Sequence, residues 1–368
     1  MPRQPVFTEV MDVIERRIAA GEYMLEDLPG ERTLADQVGV SYMTARKAVL
    51  KLIEKEVLSR RPNGSLVVHE RLQESIGRQQ VSLLVPAYPS IHLMRCRLGL
   101  TQAMTRRQIL HRTFEYQHWD DSIVKQALNG SDGVIVIPMS EPMPPRILKA
   151  FNDSGAKVVF FDDDMTEHGF PSVCLYAREH IYEVFDHLWS LGHRRIDCLN
   201  TQGHSDEVDH RIAHWRAWLR DRGGEGALWD DPAPAYTDPT SRAHRIMHAI
   251  VEGRDHPLSA VVCTTQPAAI GAIRACHDVG LRVGTDVSIC TVNNEPTGRY
   301  FCPSLTGLEM PELEPLVDRA LAWFSDPVAA WDGDPLILPA SATLFCGEST
   351  GPASSPDAER PEAVAGAV

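Results

Sequence analysis

Residues 28–68 read LPGERTLADQVGVSYMTARKAVLKLIEKEVLSRRPNGSLVV. A short helix over Glu31–Val38 is stopped by Gly39-Val40, and a longer one starts at Ser41. The Ser41 hydroxyl suits an N-cap, because it can accept from an otherwise unpaired N–H of the first turn. Ala45, Ala48, Val49, Leu52 and Ile53 follow at i, i+3, i+4, i+7 and i+8, one apolar stripe along a helix. The other face carries Tyr42, Arg46, Lys47 and Lys51. Val57-Leu58, the turn Arg61-Pro62-Asn63-Gly64 and Leu66-Val67-Val68 then read as a small hairpin. Two angled helices and a basic-tipped hairpin make a winged helix-turn-helix. Its second helix has the dimensions to enter a DNA major groove.

A cationic helix face is often only a solvated face, but here a wing with Arg60 and Arg61 at its mouth accompanies it. The strings Leu28-Pro29-Gly30-Glu31-Arg32-Thr33-Leu34-Ala35 and Val40-Ser41-Tyr42-Met43-Thr44-Ala45-Arg46-Lys47-Ala48 resemble the signature of GntR-type repressors. The resemblance covers about residues 5–70. It implies double-stranded DNA as a partner, with Arg32, Ser41, Tyr42, Thr44, Arg46, Lys47, Arg60, Arg61 and Gly64 as the DNA-facing set. The family's usual Arg after the N-cap Ser is Tyr42 here. Tyr cannot make the bidentate guanine contact of Arg, so a changed half-site is expected.

Charge is apportioned unevenly. Residues 1–78 hold twelve basic and twelve acidic residues, so the net charge of −14 resides in the rest of the chain. Within residues 39–71, seven basic residues face three acidic ones. A local basic face on an acidic body confines DNA to that face. At 368 residues, with 43% hydrophobic and 23% charged residues, the chain suits two or three folding units. No run reaches the ~20 apolar residues of a membrane span. The N-terminal MPRQPVFTEV lacks the apolar core of a secretory signal, and none of the eight Cys shows CxxC spacing. A cytoplasmic protein with reduced thiols and no membrane association is expected.

A first helix over residues 6–20 aligns Val6, Val10, Val13, Ile14 and Ile18 and ends at Gly21. Residues 1–69 form the winged domain, and polar residues 70–79 form a linker. From Val81, apolar runs at 81–85, 134–137, 157–161, 196–199, 260–264 and 287–292 alternate with amphipathic helical segments. These lie at 93–107, 122–129, 145–152, 178–191, 208–222, 240–252, 267–279 and 311–325. That alternation predicts an α/β, doubly wound arrangement of parallel sheets covered on both faces.

This region resembles the effector domain of LacI/GalR-type repressors, which share the type I periplasmic-binding-protein fold. The carriers are Ser131–Val136, Gly155–Asp162, Leu191-Gly192-His193-Arg194-Arg195-Ile196, Val287-Ser288-Ile289 and Pro303-Ser304-Leu305-Thr306. The resemblance implies a two-lobed domain over 80–348 with a ligand in the cleft. The chain would cross between lobes near 175, 307 and 336. Lobe 1 would then be 80–174 and 308–335, lobe 2 would be 175–307 and 336–348, and 349–368 a disordered tail.

Ligands in open α/β sheets sit beyond the carboxyl ends of the strands, here Pro86–His92, Asp162, Gln202–Arg211, Thr265-Gln266 and Asn293-Asn294. The resemblance selects Arg211, four residues before Trp215, as a donor to ligand oxygens; a solvated helix-start arginine is the alternative. Asp162 would accept from a hydroxyl or cap a turn. Tyr176, Gln266 and Asn293 complete the expected ligand set. Relatives often have Asp-Asn at Tyr176-Ala177, Asn-Asp at Thr265-Gln266 and Asp at Asn293, so amides and an aromatic replace their carboxylates. His92, His204 and Glu207 either add polarity there or lie at the surface. Asp162-Asp163-Asp164 reads as a solvated loop rather than a metal site, and no cofactor is expected.

No P-loop, GxSxG, HExxH or post-strand GxGxxG motif appears, so an enzyme is not the expected class. The expectation is a homodimeric repressor that reads a palindromic operator and responds to a sugar or related polar metabolite. The alternatives are a regulator whose second domain only dimerises, and a cytoplasmic solute-binding protein.

Overall fold

The computed structural model describes residues 6–19, 28–61, 64–69, 80–129, 131–234, 237–253, 258–326 and 328–353. Helix α1 (Val6–Ala19) buries Val10, Ile14 and Ile18. They share one core with Leu34 of α2 (Glu31–Val38) and with Val49 and Leu52 of α3 (Tyr42–Glu54). Ser41 caps α3, its Oγ accepting from Thr44 N at 3.2 Å. Gly39 ends α2 at φ +71°, a left-handed conformation that a side chain would strain. Strands β1 (Leu58–Arg60) and β2 (Leu66–Val68) pair antiparallel, with Leu58 opposite Val68. Leu58, Leu66 and Val68 enter the same core, so the hairpin is packed against the helices as a wing. The expected helix stop Gly21 and turn residues Pro62-Asn63 lie outside the described residues, as does the linker 70–79.

Two six-stranded sheets follow. The first has the order β4-β3-β5-β6-β7-β13 and is parallel throughout. Its strands are β3 (Gln80–Pro86), β4 (Leu110–Tyr116), β5 (Gly133–Val136), β6 (Lys157–Phe161), β7 (Ser172–Val173) and β13 (Leu336–Ile337). The second comprises β8 (Ile196–Asn200), β9 (Leu228–Asp230), β10 (Ala260–Cys263), β11 (Ser288–Asn294), β12 (Thr306–Glu309) and β14 (Leu344–Phe345). Its order is β9-β8-β10-β11-β12-β14, with β14 alone antiparallel. Both sheets thus place their second strand outside the first and the third on its other side. Such an order creates a crevice at the carboxyl ends of β3 and β5, and another at β8 and β10.

Helices cover both faces of each sheet. In the first lobe, Leu100 of α4 (Ile91–Arg106) and Phe324 of a C-terminal helix (Leu313–Phe324) pack on one face. Val124 of α5 (Ser122–Leu128) and Phe151 of α6 (Pro145–Asp153) pack on the other. In the second lobe, Phe185 of α7 (Arg178–Ser190) and Trp215 of α8 (Asp206–Arg222) face Met247 of α9 (Pro239–Gly253) and Ala272 of α10 (Gln266–Asp278) across the sheet.

Several boundaries differ from expectation. The first crossing lies between Val173 and Arg178. The second follows Glu309 rather than falling near 307, because β12 extends to Glu309 alongside β11. The third lies between Ile337 and Leu344, just beyond the expected neighbourhood of 336, because Leu336-Ile337 adds an edge strand to the first lobe beside β7. Residues 349–353 belong to the second lobe and not to a tail. Ser349 is fully buried and its Oγ donates to Ile289 O at 2.6 Å. Gly351 N donates to Ser288 Oγ at 3.0 Å, and Ala353 N to Leu191 O at 2.9 Å. The remainder, 354–368, lies outside the described residues. Strands β4, β7, β9, β12, β13 and β14 went unanticipated. Those at the sheet edges are short or, like β4, alternate polar and apolar residues.

Candidate functional site

On α3 the exposed residues include Ser41 at its cap, Tyr42, Met43, Arg46 and Lys47. Arg46 Nη1 donates to Tyr42 Oη at 3.2 Å, one turn back, so the phenol and guanidinium lie together on the outer face. Thr44 Oγ1 lies 2.8 Å from Ser41 Oγ, and both hydroxyls serve the cap. Lys47 turns toward α1, its ammonium 4.4 Å from the Phe7 ring centroid. Arg32 is exposed at the second position of α2. Arg60 pairs with Glu31 and donates to Gly64 O at 3.1 Å, tying the wing to the start of α2. Gly64 adopts φ +85°, and Arg61 is exposed beside it. The structure therefore gives Lys47 and Arg60 intramolecular partners that the pattern of charges did not reveal.

Between the lobes lies a cavity of about 360 Å³. Its walls come from the segments after β3, β5, β6, β8, β10 and β11, the carboxyl ends at both sheet switch points. Asp162, Arg211, Gln266 and Asn293 of the expected set line it. Tyr176 does not: it is buried behind Arg211, whose guanidinium carbon is 5.7 Å from the Tyr176 ring centroid. Its place in the core follows from the packing of Leu175 and Tyr176 where the chain crosses between lobes. His204 stays at the surface, with Nδ1 2.5 Å from Asp209 Oδ1.

Arg211 is buried and has its donors engaged. Its Nε and Nη2 reach Glu207 Oε1 at 3.1 and 2.9 Å, and Nη1 donates to Thr264 O at 2.7 Å and Asn293 Oδ1 at 3.5 Å. Gln266 Nε2 donates to Asn294 Oδ1 at 3.0 Å and to Glu295 O at 3.3 Å. Asp162 sits at φ +67°, a left-handed conformation uncommon outside glycine and tolerated by Asp.

Charged contacts join the lobes across the cleft. His92, at the start of α4, places Nε2 2.6 Å from Asp162 Oδ2 within the first lobe and Nδ1 3.3 Å from Glu295 Oε1 of the second. Arg95 Nη1, one turn further along α4, reaches Glu295 Oε2 at 2.6 Å. Tyr88 Oη donates to Thr237 O at 3.0 Å, again from the first lobe to the second. Burial opposes the charge on His92, but Cys96 and Asp162 beside it outweigh that, so its pKa lies well above the usual imidazole value. Burial likewise works against ionised Glu295, yet His92 and Arg95 hold it below the usual carboxylate range. Asp163 differs: burial, then Asp206, Glu207 and Asp162, push its carboxyl up to about 8. Glu295, Arg95 and Asp163 were absent from the expected set. Glu295 could have been found as the next residue beyond the strand end at Asn293-Asn294.

Residues 7–68 match the family model of bacterial regulatory proteins of the gntR family, and residues 185–316 that of the periplasmic binding protein-like domain. Among curated proteins, the HTH-type transcriptional repressor PurR of Yersinia pestis bv. Antiqua is 35% identical over 162 residues, 41% of this chain and 47% of that protein. The same-named repressor of Yersinia enterocolitica is 36% identical over 92 residues, 25% of this chain and 26% of that protein. The chain therefore spans about half or less of the length of these relatives. Among solved structures, the Lac repressor dimer bound to operator and the anti-inducer ONPF superposes with TM-score 0.64 at 16% identity, covering 77% of this chain and 99% of that one. A LacI family regulator from Mycobacterium smegmatis gives 0.61 at 20% identity, covering 74% and 99%. The LacI family regulator CCPA from Weissella paramesenteroides with bound glucose gives 0.60 at 16%, covering 74% and 98%. At these identities the likeness is one of fold. Residues 7–68 thus match a gntR-type domain and residues 185–316 a periplasmic binding protein-like domain, and the two-lobed part shares its fold with LacI family structures.

Proposed function

We propose that this chain is a transcription regulator, a repressor that binds a palindromic DNA operator and changes its affinity when a small polar ligand enters the interlobe cavity. The observation that carries this reading is one chain holding both a winged unit with an exposed Arg46–Tyr42 face and a cavity whose two walls belong to different lobes. A ligand touching both walls favours the closed arrangement, and any change between lobes is passed to whatever the first lobe is attached to. The likeness to PurR repressors and to operator-bound and glucose-bound LacI-type structures supports the same reading. The working division is a winged domain to residue 69, a linker over 70–79 and an effector domain over 80–353.

The chain acts as a homodimer in the cytoplasm. A single winged unit reads few base pairs, and two-fold symmetry matches a palindrome. Helix α4 leaves Ile91, Met94 and Leu98 46%, 53% and 55% exposed, one apolar stripe at helical spacing. That stripe supports α4 as part of the dimer face, on the same helix whose first turns carry His92 and Arg95 into the cleft.

Selection of sites from a random-sequence duplex library with the full chain tests the reading. An enriched inverted repeat is expected, with half-sites about one helical turn or a multiple apart. The absence of any enriched motif would remove the regulator assignment.

A further inference from the structure

We propose that the cavity is built for a small ligand bearing a cationic amine, seated against Asp163 and the unpartnered oxygen of Asp162. The proposal rests on reading the cavity as the effector site and names the chemistry of what enters it.

The charges of the lining residues are unevenly matched. Glu295 is matched by Arg95 and His92, and Glu207 by Arg211. Asp162 Oδ2 meets His92. Glu141 lies 3.3 Å from His118 at the exposed mouth. Asp238 accepts from Thr240 N and Ser241 N at 2.9 and 3.4 Å, at the start of α9. Every one of these carboxylates has a partner. Asp163 is buried and lines the cavity, and among the described residues it accepts only from Asp164 N at 3.1 Å. Asp162 Oδ1 is buried with no hydrogen-bond partner among the described residues. Thr265, also buried in the lining, leaves its Oγ1 without one among them. A carboxyl, a carboxylate oxygen and a hydroxyl therefore remain for a ligand, and the two cations that line the cavity are already engaged.

This excludes an anion and disfavours a plain polyol. A phosphate or carboxylate would meet an excess of negative charge, while Arg211 donates to Glu207, Thr264 and Asn293. A neutral hydroxyl could pair with the protonated Asp163 but would bring no charge to the unpartnered oxygen of Asp162. An ammonium offers three donors and a charge, which suits two carboxyls and a hydroxyl. The volume of about 360 Å³ suits a metabolite of monosaccharide size. The groups facing Asp163 are Asp162, Asp206 and Glu207 with the buried thiol of Cys174, and among its named interactions the Asp164 N–H alone favours the charged form. Asp163 is therefore protonated at neutral pH, and an arriving ammonium displaces that proton.

The test is a thermal-shift titration of the full chain with glucosamine, putrescine and methylammonium chloride. Glucose, glucose 6-phosphate and sodium acetate are run alongside at equal ionic strength. At least one amine is expected to raise the midpoint at a concentration at least tenfold lower than its neutral or anionic counterpart. Calorimetry of that amine in two buffers of different ionisation enthalpy should show release of up to about one proton per chain at pH 7. Asp163→Asn should abolish the release and the amine preference, with Asp162→Asn as a second variant should the first not fold. A stronger response to glucose or the anions, no response to any amine, or amine binding without proton release overturns the proposal. Library selection with the same preparation separates the two readings. An inverted repeat enriched by a chain indifferent to amines leaves the regulator reading standing and removes this one alone.

Discussion

Asp163 is a buried carboxyl among other carboxylates, so the stability of the protein should depend on pH through it. Its pKa of about 8 in the fold lies above the usual value of 3.8. The folded state thus binds the proton more tightly than the unfolded state. The favourable contribution is complete below about pH 4 and is lost as pH rises toward and through about 8. Asp163→Asn should therefore stabilise the chain more at pH 8 than at pH 5, with a difference on the order of 2–4 kcal/mol. Urea unfolding at the two pH values measures it, and an equal effect at both would show that Asp163 is not the titrating group. On the DNA side, Arg46 is exposed and joined only to Tyr42, whereas Lys47 rests on Phe7. Arg46→Ala should weaken binding to a selected site by roughly 1–3 kcal/mol if it reads a base edge. Anisotropy titrations giving wild-type affinity would contradict that role.

Helix α4 joins the cleft to the proposed dimerisation surface. Its first turns carry His92 and Arg95 to Glu295, and its exposed side carries Ile91, Met94 and Leu98. Removing the Glu295 charge leaves Arg95 and His92 facing each other without it. Glu295→Gln should cost about 3–5 kcal/mol of stability in urea unfolding, the cost of breaking a buried pair on one side. Met94→Asp should turn the dimer into a monomer at micromolar concentration by sedimentation, and an unchanged dimer would place the interface elsewhere. The strands that form the sheet centres were legible because Val-, Ile- and Phe-rich runs such as Lys157–Phe161 are buried on both faces. The edge strands were not, since Leu336-Ile337 and Leu344-Phe345 are two residues each and gain their identity only from a neighbour. In the cleft, the strand-end rule found Asp162, Gln266 and Asn293. Glu295 was hidden because its partners, His92 and Arg95, lie about two hundred positions earlier, on another lobe. Tyr176 was misplaced for the converse reason: a residue beside Arg211 in space can lie behind it.

For the whole molecule, the central claim is that occupancy of the cavity changes DNA affinity. Two domains in one chain give this coupling a route, and linkage makes it reciprocal: a ligand that weakens DNA binding must itself be bound more weakly by the DNA-bound form. Arg211 holds Glu207, Thr264 and Asn293 together in the wall of the second lobe. Its loss should remove the ligand response and leave the winged unit unaltered. The most direct measurement is an anisotropy titration of a selected inverted-repeat duplex with the full chain. It is performed with and without a compound that raises the thermal midpoint, and repeated with Arg211→Ala. The apparent Kd should change at least fivefold with the compound in the wild-type chain and not at all in the variant. An unchanged wild-type Kd at saturating compound, or an equal change in Arg211→Ala, would contradict the central claim.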